Sequence, residues 1–411
     1  MRCVNTDAWF PGRLRAATLT VAAGSALLAS DLTAGAQAAP KPQHVFIIVL
    51  ENEGFDRTFG PYSPALYLKQ LAANAGLLAN YYGVGHNSLD NYIAMISGQA
   101  PNPFTQQDCP KYNEFKQTGT APDGQAVGTG CIFPKGVLTL VNQLAAKGLT
   151  WKGYMEDMGN HADRENATCG QPKLDQNGRD KTQTAEPGDQ YAAKHNPFVY
   201  FHSVIGDGSA NADADCRAHV VNLSQLTTDL QSEETTPNYA FITPNLCHDG
   251  HNDPCQKGHL RGGLVAADDF LKALVPAILD SAAYQHDGLL IITFDEADLD
   301  YEVDSANDNW ILSGGDASRC CNEPPAPNIK GDYTISGRRD EGPGIIGPGG
   351  GRIGAVLISP FIQPGTVSSV AYNHYSMLRS IEDFFGLDHL GYAAQTGLET
   401  FGKDIFNKPK K

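Results

Sequence analysis

The sequence of 411 residues lacks three features that would each point to a class of protein. It has no Cys-x-x-Cys pair, which disfavours zinc binding by thiolates. It has no basic stripe, and 46 acidic residues against 30 Lys and Arg give a formal net charge of −16. We therefore expect no nucleic-acid partner. Beyond the first 40 residues, apolar runs are only as long as strands, so we expect no stable membrane insertion.

The N-terminus has the pattern of an export signal. Arg13 and Arg15 precede the apolar run AATLTVAAGSALLAS, and GAQAAP then offers an Ala-x-Ala cleavage site. This pattern predicts a signal peptide over residues 1–38, removed after Ala38. We therefore expect a secreted or periplasmic/extracellular protein.

Cysteine usage agrees with export. Of nine cysteines, Cys3 lies in the predicted signal, which leaves eight in the exported chain. An even number of cysteines in an exported protein favours disulfides. Cys320 and Cys321 are adjacent, and we expect them to be hard to pair with each other. The full connectivity stays open, although the spacing allows three pairs: Cys109 with Cys131, Cys169 with Cys216, and Cys247 with Cys255.

Strand and helix patterns alternate along the chain, which favours an α/β fold with a parallel sheet covered on both faces. No linker divides residues 39–411, so we predict a single domain, with insertions near 101–131, 159–190 and 301–352. Apolar runs without alternation are typical of buried parallel strands. They predict strands at 44–50, 239–244, 288–294 and 353–360.

Two of these strands end in acidic residues. Strand 44–50 is followed by Glu51 and Asn52, and strand 288–294 by Asp295 and Glu296. Parallel strands deliver their carboxyl ends to one edge of the sheet, where ligands bind. Carboxylates placed together repel one another unless a cation joins them. The pattern predicts a metal site, and the alternative is that each pair is a solvated end of a strand.

Ser88 precedes an apolar-periodic segment and so lies where a helix begins. A hydroxyl at this end of a helix, near a metal, is well placed to attack phosphorus. The alternative is that Ser88 only caps the helix, a common role for serine. Asn91 follows in the same segment.

Three further segments carry residues suited to metal or phosphate binding. The loop TPNLCHDGHNDPC follows a strand and contains His248, Asp249 and His251. Lys194 and His195 precede an Asn-Pro turn, and His374 precedes an amphipathic helix. Each segment alone could be an ordinary polar loop or helix start.

In order along the chain, the segments FIIVLENEGFD, GHNSLDNYIAMISG, KHNPFVYF, PNLCHDGHND, TFDEAD and NHYSMLRSIEDFFGL resemble the phosphoesterase family that contains bacterial phospholipases C and secreted acid phosphatases. The resemblance spans roughly residues 44–390. It implies an alkaline phosphatase-like three-layer sandwich with a mostly parallel central sheet covered by helices on both faces. Family members commonly read H-P-S-x-P-N-Y, whereas Asn87 and Asp90 replace both prolines here.

The resemblance also implies roles for the matching residues. The metal ligands would be Glu51, Asn52, Ser88, Asp295 and Glu296. The catalytic residues would be Ser88, the nucleophile, with His195 and His251. The substrate-binding residues would be Lys194, Asn91, His248, Asp249 and His374. The cofactor would be a divalent metal ion, with calcium, zinc, magnesium and manganese all open and a second metal not required.

These expectations describe a secreted, metal-dependent acid phosphatase that cleaves phosphate monoesters through a phosphoserine. Phospholipids and phosphoinositides are among the phosphoesters that we consider as substrates. The alternative function is that of a phospholipase C-type phosphodiesterase. The sequence has no apolar stripe suited to lipid docking, which favours the monoesterase. A non-catalytic protein that uses the same carboxylates as calcium ligands is a third interpretation. The C/S-x-P-x-R nucleophile motif of sulfatases is missing.

Overall fold

The computed structural model describes residues 41–207, 214–255, 261–304, 309–329, 334–336, 344–346 and 349–408. These residues belong to one unit, Ala39–Lys411. The predicted signal peptide and parts of the predicted 301–352 insertion lie outside the described residues.

The strands are β1 (His44–Leu50), β2 (Gly76–Leu78), β3 (Tyr81–Tyr82), β4 (Lys116–Thr120), β5 (Ala126–Thr129), β6 (Trp151–Met155), β7 (Val220–Asn222), β8 (Tyr239–Thr243), β9 (Gly288–Phe294), β10 (Leu299–Asp304), β11 (Asn309–Gly315), β12 (Thr334–Ser336), β13 (Gly344–Ile346), β14 (Ala355–Ile358), β15 (Thr366–Ser368) and β16 (Tyr372–Asn373). The α-helices are α1 (Phe55–Phe59), α2 (Leu66–Asn74), α3 (Ser88–Ser97), α4 (Leu140–Ala146), α5 (His202–Ile205), α6 (Ala214–His219), α7 (Leu226–Asp229), α8 (Gly263–Leu279), α9 (Ala282–Asp287) and α10 (His374–Phe385). Short 3-10 helices occupy Thr105–Gln107, Ala193–His195, Pro197–Tyr200, Leu223–Gln225 and Gly391–Ala394.

Eight strands form the central sheet, in the order β15-β2-β14-β9-β1-β8-β6-β7. The run from β9 to β7 is parallel throughout. All residues of β1, β8 and β9 are buried, as expected where helices cover both faces of a sheet. The carboxyl ends of β9, β1, β8 and β6 therefore lie side by side at one edge of the sheet.

The strand predicted at 353–360 is present as β14, but it is antiparallel to β9 and β2, so the expectation of a parallel strand is wrong. A parallel neighbour requires a crossover to the opposite edge of the sheet. Here the chain returns to the edge at which β9 ended, because Ala297 N donates to Gly350 O at 2.7 Å. From there it can only run back along β9.

The helices that cover the sheet form two packed groups. One contains α2, α8 and α9, and the other contains α3, α4 and α10. Helix α10 packs directly on α3. The predicted three-layer α/β sandwich with a mostly parallel central sheet is confirmed. Among the described residues, we find no helix with the length and apolar character needed to span a membrane.

Four disulfides close the loops of this unit. The three pairs that the spacing allows are present, and Cys320 also pairs with Cys321. These two neighbours are thus joined, although their adjacency in the sequence suggests that they are hard to pair. A turn with left-handed φ at Cys321 and Asn322 places the two side chains together.

Candidate active site

The two acidic strand ends meet at the carboxyl edge of the sheet. Strands β1 and β9 are hydrogen-bonded neighbours, with Leu50 opposite Phe294, so the residues that follow them emerge together. Asp295 Oδ1 accepts a hydrogen bond from Asn52 N at 3.0 Å. Asn52 has a φ of 55°, which turns the chain sharply as it leaves β1. The side chain of Glu51 is completely buried at this edge.

Ser88 is the first residue of α3 and is only 2% exposed. Its Oγ donates to Glu51 Oε2 at 2.6 Å. The N-cap position belongs to Asn87, so the interpretation of Ser88 as only a helix cap does not describe it. The hydroxyl instead lies at the positive end of a ten-residue helix and beside a carboxylate.

Glu51 is surrounded by groups that favour its ionised form. Tyr92 Oη donates to Oε1 at 2.8 Å, and His195 Nε2 lies 3.2 Å from the same oxygen. The ring of Tyr92 stacks on that of His195 at 5.3 Å between centroids. Burial alone would raise the pKa of Glu51. The charges of His195 and Lys194 and the hydroxyl of Ser88 outweigh burial and lower the pKa to about 2.

Glu51, His195 and Asp249 form a group suited to a metal ion. One ligand atom from each lies within 4.8 Å of the others, and all three residues are buried. Asp249 Oδ2 and His195 Nδ1 have no hydrogen-bond partner among the described residues, and neither does Asp295 Oδ2. Buried polar atoms without partners are costly, and a cation would satisfy them. The residues at this edge therefore fit a divalent metal.

This group differs from the predicted ligand set, with which it shares only Glu51. Within the predicted set, hydrogen bonds link Glu51 to Ser88 and to Asn52, whose Nδ2 lies 3.2 Å from Oε2. Glu296 instead accepts from Asn87 N at 3.1 Å and pairs with His86 Nδ1. The two sets adjoin through the carboxylate of Glu51.

Asp295 and Glu296 resist ionisation when no cation is bound. Burial is the largest cause, and the charge of Glu51 adds to it, so the pKa of each carboxyl lies well above its ordinary value. Like charges gathered in a buried site cannot all ionise without compensation. A divalent cation would supply that compensation.

His374, predicted to bind substrate, has both ring nitrogens engaged. Nε2 lies 2.6 Å from the backbone oxygen of Asp295, and Nδ1 lies 3.0 Å from Tyr81 Oη. A carbonyl oxygen only accepts, so Nε2 carries the proton and Tyr81 donates to Nδ1. Burial lowers the pKa of His374 to about 4, which keeps the ring neutral. In this arrangement His374 holds Asp295 in place.

Two other predicted substrate-binding residues are also engaged. Asn91 Oδ1 accepts from Val84 N at 2.8 Å and Gly85 N at 3.2 Å, so its amide holds the turn before Ser88. Lys194 Nζ donates to Asp108 Oδ2 at 2.9 Å. Burial opposes the ammonium charge of Lys194, but Asp108 and Glu51 outweigh it and raise the pKa above its ordinary value.

The histidines of the loop after β8 lie in different surroundings. His251 Nδ1 accepts from Asn52 Nδ2 at 3.2 Å, which places it beside the predicted metal ligands. His248 Nδ1 lies 2.9 Å from Glu156 Oε1, and Glu156 follows β6. This hydrogen bond is the largest cause of a raised pKa for His248. Asp249 joins the loop to β1, because its backbone oxygen accepts from Glu51 N at 2.8 Å.

Three residues of the site were not predicted from the sequence: His86, Tyr92 and Asp108. Tyr92 lies four residues after Ser88 on α3, and that spacing puts both on one helix face, a signal that could have identified it. His86 stands two residues before Ser88. Asp108 has no comparable signal, because its partner Lys194 is 86 positions away in the chain.

The backbone before Ser88 departs from what the family pattern implies. Asn87 has a φ of 69°, which the ring of proline cannot adopt. Asn87 Nδ2 also donates to Gln106 O at 2.6 Å. The chain therefore enters α3 by a turn that depends on asparagine.

Comparison with known proteins gives a consistent result. The profile of the phosphoesterase family matches residues 62–388. A probable acid phosphatase of Kluyveromyces lactis is 25% identical over 347 residues, which cover 84% of this chain and 59% of that protein. A phosphatidylinositol-3-phosphatase of Mycobacterium tuberculosis is 23% identical over 360 residues, covering 87% of this chain and 82% of that protein.

A solved structure of a protein in the alkaline phosphatase superfamily from Vibrio parahaemolyticus is 13% identical, with a TM-score of 0.43 over 85% of this chain and 68% of that one. The chain spans about half the length of the fungal acid phosphatases that it matches, from 47% to 59%.

The buried carboxyl of Asp249 predicts a pH-dependent stability in metal-free protein. Burial, and then the charge of Glu51, raises its pKa from 3.8 to about 7. Between these values the folded protein keeps a proton that the unfolded chain has released. The contribution of Asp249 to the free energy of unfolding therefore falls as the pH rises through this window. Asp249→Asn should remove that fall, measured by urea unfolding in EDTA from pH 4 to pH 7.5.

Asp163→Asn is the control, because Asp163 is exposed and should leave the pH dependence unchanged. If Asp249→Asn and the wild type showed the same pH dependence, the carboxyl would not be held protonated by its surroundings.

Proposed function

The chain belongs to the phosphoesterase family, and from this premise we propose that it is an exported, metal-dependent phosphoric ester hydrolase with Ser88 as its nucleophile. The observation that carries the proposal is the 2.6 Å hydrogen bond from Ser88 Oγ to Glu51 Oε2 at the N-terminus of α3. The names of the Kluyveromyces lactis and Mycobacterium tuberculosis relatives support the reaction class. Four disulfides support export.

In the first step, Ser88 Oγ passes its proton to the carboxylate of Glu51, which accepts its hydrogen bond. The same oxygen forms a bond to phosphorus while the bond from phosphorus to the alcohol oxygen breaks. The negative charge on the phosphoryl oxygens is opposed by Lys194 and by the positive end of α3. His195, beside Glu51 and within the same buried group, is the candidate that gives a proton to the departing alcohol. His251 is the alternative proton donor.

In the second step, water attacks the phosphoserine: its oxygen bonds to phosphorus and its proton returns to His195. The bond from phosphorus to Ser88 Oγ breaks, inorganic phosphate is released, and Ser88 takes back the proton held by Glu51. The residues that would hold the metal are Glu51, Asn52, Asp295 and Glu296 with Ser88, and Asp249 and His195 adjoin them. A divalent cation bound there would supply Lewis-acid charge neutralisation. His374 and Asn91 serve by fixing Asp295 and the turn before Ser88.

We favour a phosphate monoester as the substrate. A monoester carries one more free, charged oxygen than a diester, and Lys194 with the terminus of α3 provides positive charge for it. The acid phosphatase relatives agree with this choice. Phosphoinositides fall within the same class, since they carry phosphate monoesters on a ring.

Removal of the nucleophile tests the mechanism. Ser88→Ala should lower kcat on p-nitrophenyl phosphate by at least about 10³-fold, because no oxygen remains to attack phosphorus. The thermal unfolding temperature should stay close to that of the wild type. In the wild type, acid quenching during turnover should leave phosphate on the peptide that contains Ser88, detected by mass spectrometry.

Ser97→Ala is the matched control, since Ser97 is also buried in α3 but lies at the other end of the helix. It should keep full activity. Wild-type turnover by Ser88→Ala would eliminate Ser88 as the nucleophile.

Paired substrates test the monoester preference. The wild type should hydrolyse p-nitrophenyl phosphate with a kcat/KM at least about tenfold above that for p-nitrophenylphosphorylcholine, a difference of about 1.4 kcal/mol in transition-state binding. The reverse order would favour a phospholipase C-type diesterase. Loss of turnover on both substrates, with intact metal binding, would favour a binding protein.

A further inference from the structure

One short segment, residues 106–108, accepts hydrogen bonds from both residues that flank Ser88, namely Asn87 and Leu89. Gln106 O accepts from the side chain of Asn87 at 2.6 Å, and Asp108 Oδ1 accepts from Leu89 N at 3.0 Å. The segment lies in the 101–131 region, which the sequence suggests is only a surface insertion. Its two contacts hold the side chain of Asn87 and the backbone N–H of Leu89, one on each side of Ser88.

The other carboxylate oxygen of Asp108 reaches a different part of the site. Oδ2 accepts from Lys194 Nζ at 2.9 Å, and the two side chains are only 14% and 12% exposed. One carboxylate thus joins the first turn of α3 to Lys194. The attraction between two charges in such a partly shielded pair is screened less by water than at the surface.

Asp108 is itself held firmly in place. Its φ of 56° is in the left-handed region, which aspartate tolerates better than most residues. The next residue, Cys109, is bonded to Cys131, and Gln183 Nε2 donates to the backbone oxygen of Asp108 at 3.1 Å. These contacts fix the direction of the carboxylate.

We propose that Asp108 is a positioning residue that sets the placement of Lys194 relative to Ser88. The inference rests on the proposed function, in which Lys194 opposes the phosphoryl charge and Ser88 attacks. Asp108 touches neither phosphorus nor the leaving group, and it acts through the two groups that do. A displacement of about 1 Å in such groups can cost about 10²-fold in rate.

The two contacts of Asp108 can be separated by substitution. Asparagine keeps an oxygen for Leu89 N–H but presents an amide N–H₂ to Lys194, so Asp108→Asn breaks only the contact with Lys194. Alanine breaks both contacts. Lys194→Met removes the charge while keeping most of the side-chain length.

The experiment is a double-mutant cycle measured as kcat and KM on p-nitrophenyl phosphate. Asp108→Asn should lower kcat/KM about tenfold in the wild-type background and less than about twofold in Lys194→Met, because the interaction is then already lost. Asp108→Ala should cost about 10²-fold in the wild type and still about tenfold in Lys194→Met. The loss that Asp108→Ala still causes in Lys194→Met should appear in kcat rather than in KM, since it reflects the placement of Ser88.

Asp229→Asn provides the matched control. Asp229 Oδ2 accepts from Lys152 Nζ at 2.6 Å in a similarly shielded ion pair that does not involve the candidate site. This variant should unfold at a lower temperature while keeping its kcat/KM. A purely structural role for Asp108 would give the same pattern as this control.

Two results would overturn the proposal. One is wild-type kcat/KM for Asp108→Asn, and the other is an equal loss from that variant with and without Lys194. An inactive wild-type protein would instead contradict the proposed function. In that case, hydrogen exchange of the peptide spanning residues 84–93 tests the positioning role of Asp108 independently of activity. Asp108→Ala should speed exchange there, Asp108→Asn should not, and no effect of alanine would overturn the inference.

Discussion

Four buried carboxylates, those of Glu51, Asp249, Asp295 and Glu296, lie at one edge of the sheet, and their mutual repulsion is the constraint on which the site depends. The parallel run of β9, β1 and β8 brings them there, because the chain leaves each strand at the same edge. Burial raises the pKa values of Asp249, Asp295 and Glu296. Burial also acts on Glu51, but its positive neighbours outweigh that effect and lower its pKa. A cation would allow all four to ionise. It would also satisfy Asp249 Oδ2 and Asp295 Oδ2, which have no hydrogen-bond partner among the described residues.

The surrounding residues hold these carboxylates, Ser88 and Lys194 in fixed positions. His374 fixes the backbone of Asp295, and Asn91 fixes the turn that leads to Ser88. Asp108 joins the start of α3 to Lys194, and a disulfide at the next residue anchors it. A hydroxyl, a lysine and a group of carboxylates drawn from distant parts of the chain therefore meet in one place. Such pre-organisation is what phosphoryl transfer requires, since catalysis rests on positioning and charge neutralisation.

Much of the fold and part of the site could be predicted from the sequence. The apolar runs of β1 and β9 carry their own signal, and the acidic residues that follow them are adjacent in sequence. The antiparallel direction of β14 could not be predicted, because it depends on where the chain re-enters the sheet after a long excursion. The role of Asp108 depends on a contact between two insertions, and the joined pair Cys320 and Cys321 depends on a left-handed turn. Neither the contact of Asp108 nor this turn has a signal in the local sequence.

The central claim is that these carboxylates hold a divalent metal, and elemental analysis of the purified protein tests it most directly. The account predicts about one divalent ion or more per chain in the wild type, and loss of that ion together with activity in EDTA. Asp295→Asn should be purified with much less metal, because it removes a charged ligand and leaves the fold otherwise intact. A wild-type protein free of divalent metal, with phosphatase activity that survives EDTA, would contradict the account.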